Sequence, residues 1–280
     1  KQVIRVLNIN NESPQKKYTL LLEKLRELSK VAVAYSGGVD STLLLFSAVE
    51  ALGKKNVLAI IVKSPAVPAE EIKEAVEIVT RMRVPFEIIE YNVVKVVNDT
   101  GNTAERCFFC KHSIFKNIIS VANSHGFYYV IEGTNLDDLE DNRPGQKALK
   151  ELSVLSPLLD AGLSKPEIRK LSRSFDLPTW DKPSSPCLIS RFPYGLYIET
   201  EALDRINKCE EYIHSLGFKI CRVRHFEDKA VVEVSKEKVN EALNLKDKIT
   251  SELKNLGYKE VEIDLKGYRQ GSMNERQENK

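Results

Sequence analysis

A glycine- and hydroxyl-rich loop is the first candidate for chemistry in this sequence. It consists of Ser36, Gly37, Gly38, Val39, Asp40 and Ser41, between a β-branched run and an apolar helical pattern. Glycines let backbone N–H groups approach an anion closely, and the N-terminus of the following helix favours negative charge. The serine hydroxyls can donate to the anion, while Asp40 can cap the helix or hold Mg²⁺ in a catalytic role. The loop predicts a phosphate site, with a plain tight turn as the alternative.

The cysteines are the second candidate. Cys107 and Cys110 form a Cys-x-x-Cys pair at the predicted start of a helix, where the helix dipole and the flanking Arg106 and Lys111 favour thiolates. Such a pair is compatible with a redox dithiol, half of a zinc site or part of an iron–sulfur site. A second ligand pair with zinc spacing is absent from the sequence.

Three of the five cysteines are candidates for one cluster. Cys187 lies in a loop framed by prolines, whereas Cys209 and Cys221 fall on apolar patterns and are predicted to be core residues. Thiolates from Cys107, Cys110 and Cys187 would hold a 4Fe-4S cluster and leave one iron open to bind hydrosulfide. The alternative is a Cys107/Cys110 redox pair with Cys187 as a lone nucleophile.

Composition excludes several classes of function. The 280 residues carry a formal charge of +2 and a pI near 8.2, which lacks the basic excess of a general nucleic-acid binder. Apolar runs such as Val57–Val62 are far shorter than the roughly 18 residues of a membrane span. Residues 1–10 show no continuous apolar region, so we predict no secretory signal. Five cysteines are too few for a disulfide scaffold, and an odd number cannot all be paired within the chain. The cysteine count therefore indicates a reducing cytoplasm.

Alternating strand and helix patterns must position these residues. The predicted strands are Val31–Tyr35, Val57–Val62, Phe86–Tyr91 and Tyr128–Glu132, with a fifth apolar segment at Val154–Leu159. Predicted helices lie at Tyr18–Lys30, Leu43–Leu52, Ala69–Met82, Cys107–Ser124 and Lys165–Phe175. This alternation predicts parallel βαβ units and an α/β fold. The loop of Ser36–Ser41 then follows the first strand.

The pattern changes near Gly195, which predicts a second domain. Residues 201–216 and 236–256 read as helices, 218–234 as two strands with a turn near Glu227, and 261–265 as a strand. This order suits a small α+β domain with an antiparallel sheet. We therefore predict domains at residues 1–195 and 196–272, the second for substrate or oligomerisation, with a mobile tail at 273–280.

The motifs resemble a known family. Ser-Gly-Gly-x-Asp-Ser after a strand resembles the PP-loop of ATP pyrophosphatases, which cradles the pyrophosphate of ATP while a substrate is adenylated. Further runs resemble the LarE family of ATP-dependent sulfur transferases, and together they cover nearly the whole chain. These runs are Glu132–Asp138, Arg143–Gly145, Ser156–Leu158, Gly162–Arg169, Leu177–Pro183, Cys187–Gly195, Arg222–His225 and Gly267–Asn274.

The resemblance implies a reaction. ATP with Mg²⁺ adenylates a pyridinium carboxylate mononucleotide, sulfur is transferred, and AMP is released. In one branch of the family a single cysteine at the position of Cys187 is sacrificed to dehydroalanine. In another, cysteines matching Cys107, Cys110 and Cys187 hold a 4Fe-4S cluster that carries an extra sulfide. This sequence has all three, so we expect the cluster branch. Relatives form homo-oligomers reported as hexamers.

Several charged residues acquire candidate roles from the resemblance. Arg222 and Arg224 alternate in a predicted strand and would grip the substrate phosphate, and Arg191 and Arg143 could serve similarly. A solvated strand edge is the alternative for the first pair.

Two aspartates are candidate metal ligands. Asp137 and Asp138 are possible ligands of Mg²⁺, although turn-forming aspartates have the same sequence pattern.

Three rival functions remain open at this point. A tRNA thiolase can combine a PP-loop with a three-cysteine cluster, and an amidating enzyme such as an NAD synthetase needs no reactive cysteine. An iron–sulfur or sulfide-binding protein without turnover is the rival outside enzymes.

Overall fold

The computed structural model describes residues 12–139, 144–184, 186–269 and 272–273. The segment predicted to lack a secretory signal and nearly all of the predicted tail lie outside these residues, as does Arg143. The strands are β1 (Val31–Ala34), β2 (Val57–Lys63), β3 (Phe86–Glu90), β4 (Tyr129–Ile131), β5 (Cys221–Phe226), β6 (Lys229–Val234) and β7 (Glu260–Ile263).

Helices connect these strands throughout the described chain. They are α1 (Pro14–Leu28), α2 (Val39–Leu52), α3 (Ala69–Met82), α4 (Val93–Asp99), α5 (Arg106–Ser124), α6 (Pro144–Glu151), α7 (Pro157–Asp160), α8 (Lys165–Ser174), α9 (Thr200–Ser215), α10 (Val239–Asn244) and α11 (Lys246–Asn255). Short 3₁₀ turns occur at Lys54–Asn56, Leu136–Leu139, Leu188–Arg191 and Lys236–Lys238. No helix in the described ranges is long and apolar enough to cross a membrane.

The first sheet is parallel, as predicted. Its strand order is β3-β2-β1-β4, and Val31 of β1 pairs with Val57 of β2 on one side and with Tyr129 of β4 on the other. Apolar clusters cover both faces: Val31 and Val33 pack with one cluster, while Ala32 packs with the other. Burial on both faces explains why the strands read as continuous apolar runs.

Two connections in this region were not predicted. Helix α4 contains four β-branched valines within Val93–Val97, and helix α6 begins at Pro144, which suits the first position of a helix. The apolar segment at Val154–Leu159 contributes only a bridge between Ile131 and Leu155 before the short helix α7.

The second sheet has the order β5-β6-β7, and the predicted antiparallel arrangement is wrong for one of its pairs. Strands β5 and β6 form the predicted antiparallel hairpin around Glu227, but β6 and β7 are parallel. The reason is the connection, because a chain that crosses over through helices returns to the sheet in the same direction.

The predicted helix over residues 236–256 is also wrong as a single element. Helix α10 ends at Asn244 and α11 begins at Lys246, with Leu245 at φ −100° and ψ 10° between them. Asparagine has a weak helix propensity, which makes this position a suitable break.

The described chain divides into two compact units that do not follow a single cut. The first comprises the residues up to Ser64, Ala69–Asn92 and Glu105–Ser184; the second comprises Pro65–Pro68, Val93–Ala104 and the residues after Ser184.

Two asparagines anchor the returning segment Val93–Ala104 within the second unit. Asn98 exchanges hydrogen bonds with the backbone of Ile198, and buried Asn102 donates to the carbonyls of Pro193 and Leu196. The roles predicted for the two domains stay predictions.

Candidate active site

The loop Ser36–Ser41 joins β1 to α2 and is shaped by its glycines. Gly37 has φ +71°, and a Cβ atom there would lie 2.8 Å from Cβ of Ala75 in α3. The Oγ atoms of Ser36 and Ser41 lie 3.1 Å apart, and Ser41 Oγ donates to the Gly38 carbonyl at 3.2 Å. Gly38 is the N-cap of α2 and supplies no side-chain hydrogen bond. The N-terminus of α2 is thus uncapped by a side chain, which suits an anion site.

Asp40 lies inside the first turn of α2 and does not cap it. Its carboxylate accepts a hydrogen bond from Asn135 Nδ2 at 3.3 Å and forms an ion pair with Lys165 Nζ. Burial raises the pKa of Asp40, and the ammonium of Lys165 opposes that shift. Lys165 is half-buried, so a flexible cation lies directly beside the loop.

The segment after β4 packs against this loop. A Cβ atom at Gly133 would lie 3.1 Å from the backbone nitrogen of Ser41. Glu132 is buried and accepts hydrogen bonds from Thr134 and from Ser156 Oγ at 2.6 Å. These contacts fix the segment at the carboxyl end of the sheet, where open α/β folds bind ligands.

The predicted magnesium ligands lie in the 3₁₀ turn that follows. Asp137 Oδ2 accepts from the backbone N–H of Lys165 at 2.9 Å, and Asp138 Oδ2 accepts from that of Asn135 at 3.0 Å. Both aspartates therefore organise the turn, and their role as Mg²⁺ ligands stays a prediction. Asp137 ties the turn to α8 and so to Lys165.

Two lysines of this region were not predicted to act. Lys165 follows the capping-box residue Ser164, and Glu167 completes that box. The Ser-x-x-Glu signal locates the start of α8 in the sequence, but it does not reveal the contact with Asp40, 125 positions away.

The other lysine lies beneath the glycine loop. Lys182 Nζ contacts Glu71 at 2.6 Å, Glu74 at 2.7 Å and the Gly37 carbonyl at 3.4 Å. The segment after α8 is therefore tied to the loop by a cation.

The cysteines divide as predicted between exposed and buried positions. Cys107 and Cys187 are exposed and Cys110 is half-buried, whereas Cys209 and Cys221 are buried. Burial raises the pKa of Cys209 to about 12 and that of Cys221 well above its ordinary value. The buried thiols are thus protonated at neutral pH and are poor nucleophiles.

The three candidate cluster ligands lie on two elements of the structure. Cys107 and Cys110 share the first turn of α5 in the first unit, and Cys187 precedes the 3₁₀ turn Leu188–Arg191 in the second unit. No group of three or more His, Cys, Asp or Glu side chains suited to a metal occurs in the described ranges.

Three of the predicted phosphate-binding arginines are buried within the second unit, and the fourth, Arg143, lies outside the described residues. Arg224 donates to Glu233 Oε2 through Nε at 3.0 Å and Nη2 at 2.8 Å. Arg191 donates to both oxygens of Glu210. Arg222 donates to the Cys221 carbonyl at 2.6 Å and lies over the ring of Tyr268. The alternative of a solvated strand edge is excluded for Arg222 and Arg224, because both are less than a tenth exposed.

Comparison with known proteins decides the family. The NAD synthase family model matches residues 17–115, which contain the glycine loop. The uncharacterized protein slr1717 of Synechocystis sp. is 39% identical over 259 residues, 90% of this chain and 96% of its own length. The pyridinium-3,5-bisthiocarboxylic acid mononucleotide synthase of Lactiplantibacillus plantarum is 31% identical over 259 residues, 92% of this chain and 94% of its own. The chain belongs to the LarE family.

Membership in the LarE family makes this chain an ATP-using enzyme with a PP-loop. A more distant relative, the tRNA-specific 2-thiouridylase MnmA of Rickettsia massiliae, is 28% identical over 69% of this chain and 62% of its own length. The match to the Lactiplantibacillus synthase spans 92% of this chain, whereas the NAD synthase model ends at residue 115. The synthase match therefore covers the second unit far more completely than the NAD synthase model does.

Proposed function

We propose that this protein transfers sulfur to a carboxylate of pyridinium-3,5-biscarboxylic acid mononucleotide, or a close analogue, for nickel-pincer cofactor biosynthesis. The observation that carries the proposal is the nearly full-length match to the Lactiplantibacillus synthase. ATP activates the carboxylate as an acyl adenylate with release of pyrophosphate. Hydrosulfide then displaces AMP and leaves a thiocarboxylate.

The PP-loop would stabilise the pyrophosphate as it leaves. Backbone N–H groups at Gly37 and Gly38 and the uncapped N-terminus of α2 favour negative charge there. Lys165 is a flexible cation beside the loop, and exchanging Asp40 for a phosphate oxygen would keep its ammonium paired. Mg²⁺ would be held by carboxylates of this region, for which Asp40, Asp137 and Asp138 are the candidates.

The buried charges of the second unit support binding of an anionic substrate. Among the residues of this unit that the structure describes, the buried set contains three guanidinium groups and two carboxylates, so positive charge is in excess within that set. Burial lowers the pKa of Arg222, and the neighbouring charge of Arg191 lowers it further. A substrate phosphate would offset both effects.

The donor chemistry fits a 4Fe-4S cluster held by Cys107, Cys110 and Cys187. These are the three cysteines outside the core, and two of them lie three residues apart on one helical turn. When bound, such a cluster would supply sulfide as a deprotonated nucleophile at neutral pH. The chain's contribution is to provide the thiolates and to leave the two buried cysteines unreactive.

Anaerobic reconstitution tests the proposal directly. The full chain would be loaded with iron and sulfide, incubated with ATP, Mg²⁺, sulfide and the pyridinium dicarboxylate mononucleotide, and assayed by mass for the thiocarboxylate. We expect about four irons per chain and multiple turnovers. Cys107→Ser, Cys110→Ser and Cys187→Ser should each lower iron content and turnover, whereas the matched control Cys209→Ala should retain both.

Other outcomes point to the alternatives. A colourless chain that makes at most one product and loses sulfur from Cys187 would indicate sacrificial transfer. Formation of a carboxamide when ammonia is supplied, undiminished by all three cysteine substitutions, would indicate an amidating enzyme. Salt-sensitive tRNA retention with thiolated tRNA as product would indicate a tRNA thiolase. Pyrophosphate release that never depends on the mononucleotide would contradict the proposal.

Assembly and location complete the proposal. We propose a cytoplasmic homo-oligomer, which cell fractionation and light scattering of the purified chain would test.

A further inference from the structure

The turn that presents Cys187 is held together by an arginine that follows it. The backbone N–H of Ser190 donates to the Cys187 carbonyl at 3.0 Å and closes the turn. Arg191 Nη1 then reaches back to the carbonyls of Pro186 at 2.9 Å and Cys187 at 3.3 Å, and to Ser190 Oγ at 2.9 Å. The guanidinium thus binds the peptide groups on both sides of Cys187.

Glu210 fixes the orientation of that guanidinium. Arg191 Nε donates to Glu210 Oε1 at 2.8 Å and Nη2 donates to Oε2 at 2.7 Å, a bidentate arrangement that defines the plane of the group. Glu210 Oε1 also accepts from the backbone N–H of Val223 in β5 at 2.8 Å. One carboxylate of α9 therefore links the turn to the second sheet, and Arg191 is only 2% exposed.

We infer that Arg191 is a positioning residue for Cys187, oriented by Glu210, instead of a ligand of the substrate phosphate. A guanidinium has five N–H donors on three nitrogens, and all three nitrogens of Arg191 already donate to acceptors of this unit. Gripping a phosphate with more than the second N–H of Nη2 would break either the pair with Glu210 or the bonds to the turn. Arg224 also donates through all three of its nitrogens, so Arg222 is the candidate for the phosphate among the predicted arginines that the structure describes.

A second pair reinforces the same turn. Arg224 Nη1 donates to the Ser190 carbonyl at 3.1 Å, while Nε and Nη2 are held by Glu233. The carbonyls of Pro186, Cys187 and Ser190 are therefore all held by buried guanidinium groups. The inference rests on the proposed function only in taking Cys187 as a residue of sulfur transfer.

Amide exchange and thiol reactivity of the metal-free full chain test the positioning role without the cluster. In a Cys107→Ser/Cys110→Ser background, Arg191→Gln and Glu210→Gln should each speed hydrogen exchange at the amides of Leu188, Ser190 and Phe192 at least tenfold. Alkylation of Cys187 by iodoacetamide at fixed pH should change at least threefold. The double variant should show no more than the larger single effect, because both residues act through one contact.

The matched control is Lys17→Gln, which removes the buried cation of another ion pair, between Lys17 and half-buried Glu167 at 2.8 Å in the first unit. It should alter neither exchange at these amides nor alkylation. Thermal unfolding would be recorded for every variant, and Arg191→Lys, which keeps the charge, replaces Arg191→Gln should the latter not fold. Unchanged exchange and alkylation in folded Arg191 variants would overturn the inference.

Kinetics of the reconstituted chain, with all cysteines present, separate positioning from phosphate binding. Arg191→Gln should lower kcat for thiocarboxylate formation at least tenfold and leave the Kd of the pyridinium dicarboxylate mononucleotide within twofold. A tenfold weaker Kd with normal amide exchange would make Arg191 a phosphate ligand and overturn the inference. Should the wild-type chain bind no such nucleotide, the proposed function fails, while exchange and alkylation still decide the role of Arg191.

Discussion

The glycine loop and the Cys187 turn present reactive groups in opposite ways. In the loop, the hydroxyls of Ser36 and Ser41 meet within five residues, and the anion site consists mainly of backbone. In the turn, backbone carbonyls accept hydrogen bonds from side chains that are distant in sequence. Glu210, which orients Arg191, lies 19 positions after it, and Arg224 lies 34 positions after Ser190, whose carbonyl it binds. A backbone-built site depends on local conformation, whereas a side-chain-built site depends on a folded second unit.

The largest expected effect strikes the side-chain-built turn. Glu233 is fully buried and accepts from Arg224 and from Ser272 Oγ at 3.1 Å. Glu233→Gln leaves a buried guanidinium uncompensated, so the free energy of unfolding should fall by about 3–5 kcal/mol in urea titrations. The control Glu262→Gln removes an exposed partner of Lys229 and should cost less than about 1 kcal/mol. Equal losses would show that burial of the pair is unimportant.

The next largest effect is a loss of stability of the second unit as the pH is lowered. His225 is buried beside Tyr258, and burial lowers its pKa from 6.5 to about 4, with Arg205 adding to the shift. Between pH 6.5 and pH 4 the imidazole is protonated in the unfolded chain but neutral in the folded chain. The contribution of His225 to the free energy of unfolding is therefore fully present above pH 6.5 and is lost as the pH falls toward 4. The loss should approach about 3 kcal/mol. His225→Phe should remove this slope, and an unchanged slope would contradict the assignment.

The backbone-built loop should break at Gly37. Gly37→Ala places a Cβ atom against Ala75 at a positive φ, and pyrophosphate release should fall about a hundredfold from the displaced loop. Gly53 has φ +77° with open space around it, so Gly53→Ala should cost roughly 1–2 kcal/mol of stability and keep the activity. Comparable activity of the two variants would mean that close approach at Gly37 does not matter.

The smallest expected effect tests whether one side chain, that of Lys165, contributes to the backbone-built anion site. Lys165→Met removes the half-buried cation beside Asp40 and should raise the KM for ATP about tenfold, as expected for one charge-assisted hydrogen bond. Lys170→Met alters an exposed lysine of the same helix and is the control. A KM unchanged by both would leave the anion site to backbone alone.

This contrast also explains what the sequence could predict. Strands β1 to β4 and the loop Ser36–Ser41 follow from periodicity and local glycines, and the structure confirms the parallel sheet. The direction of β7 could not be read from its own residues, because it depends on the helices that precede it. Likewise, Glu210 reads in the sequence as one more polar residue of a helix, since only the fold brings it to Arg191.

The path of the chain through its two compact units has an evolutionary consequence. The chain passes between the units five times, because Pro65–Pro68 and Val93–Ala104 belong to the second one. No single crossover in a gene could therefore donate the second unit intact, and a fragment starting after Ser184 would lack Asn98 and Asn102, which anchor residues 193–198. Inheritance of the two units should be linked, and recombinant libraries would need paired breakpoints to exchange either one.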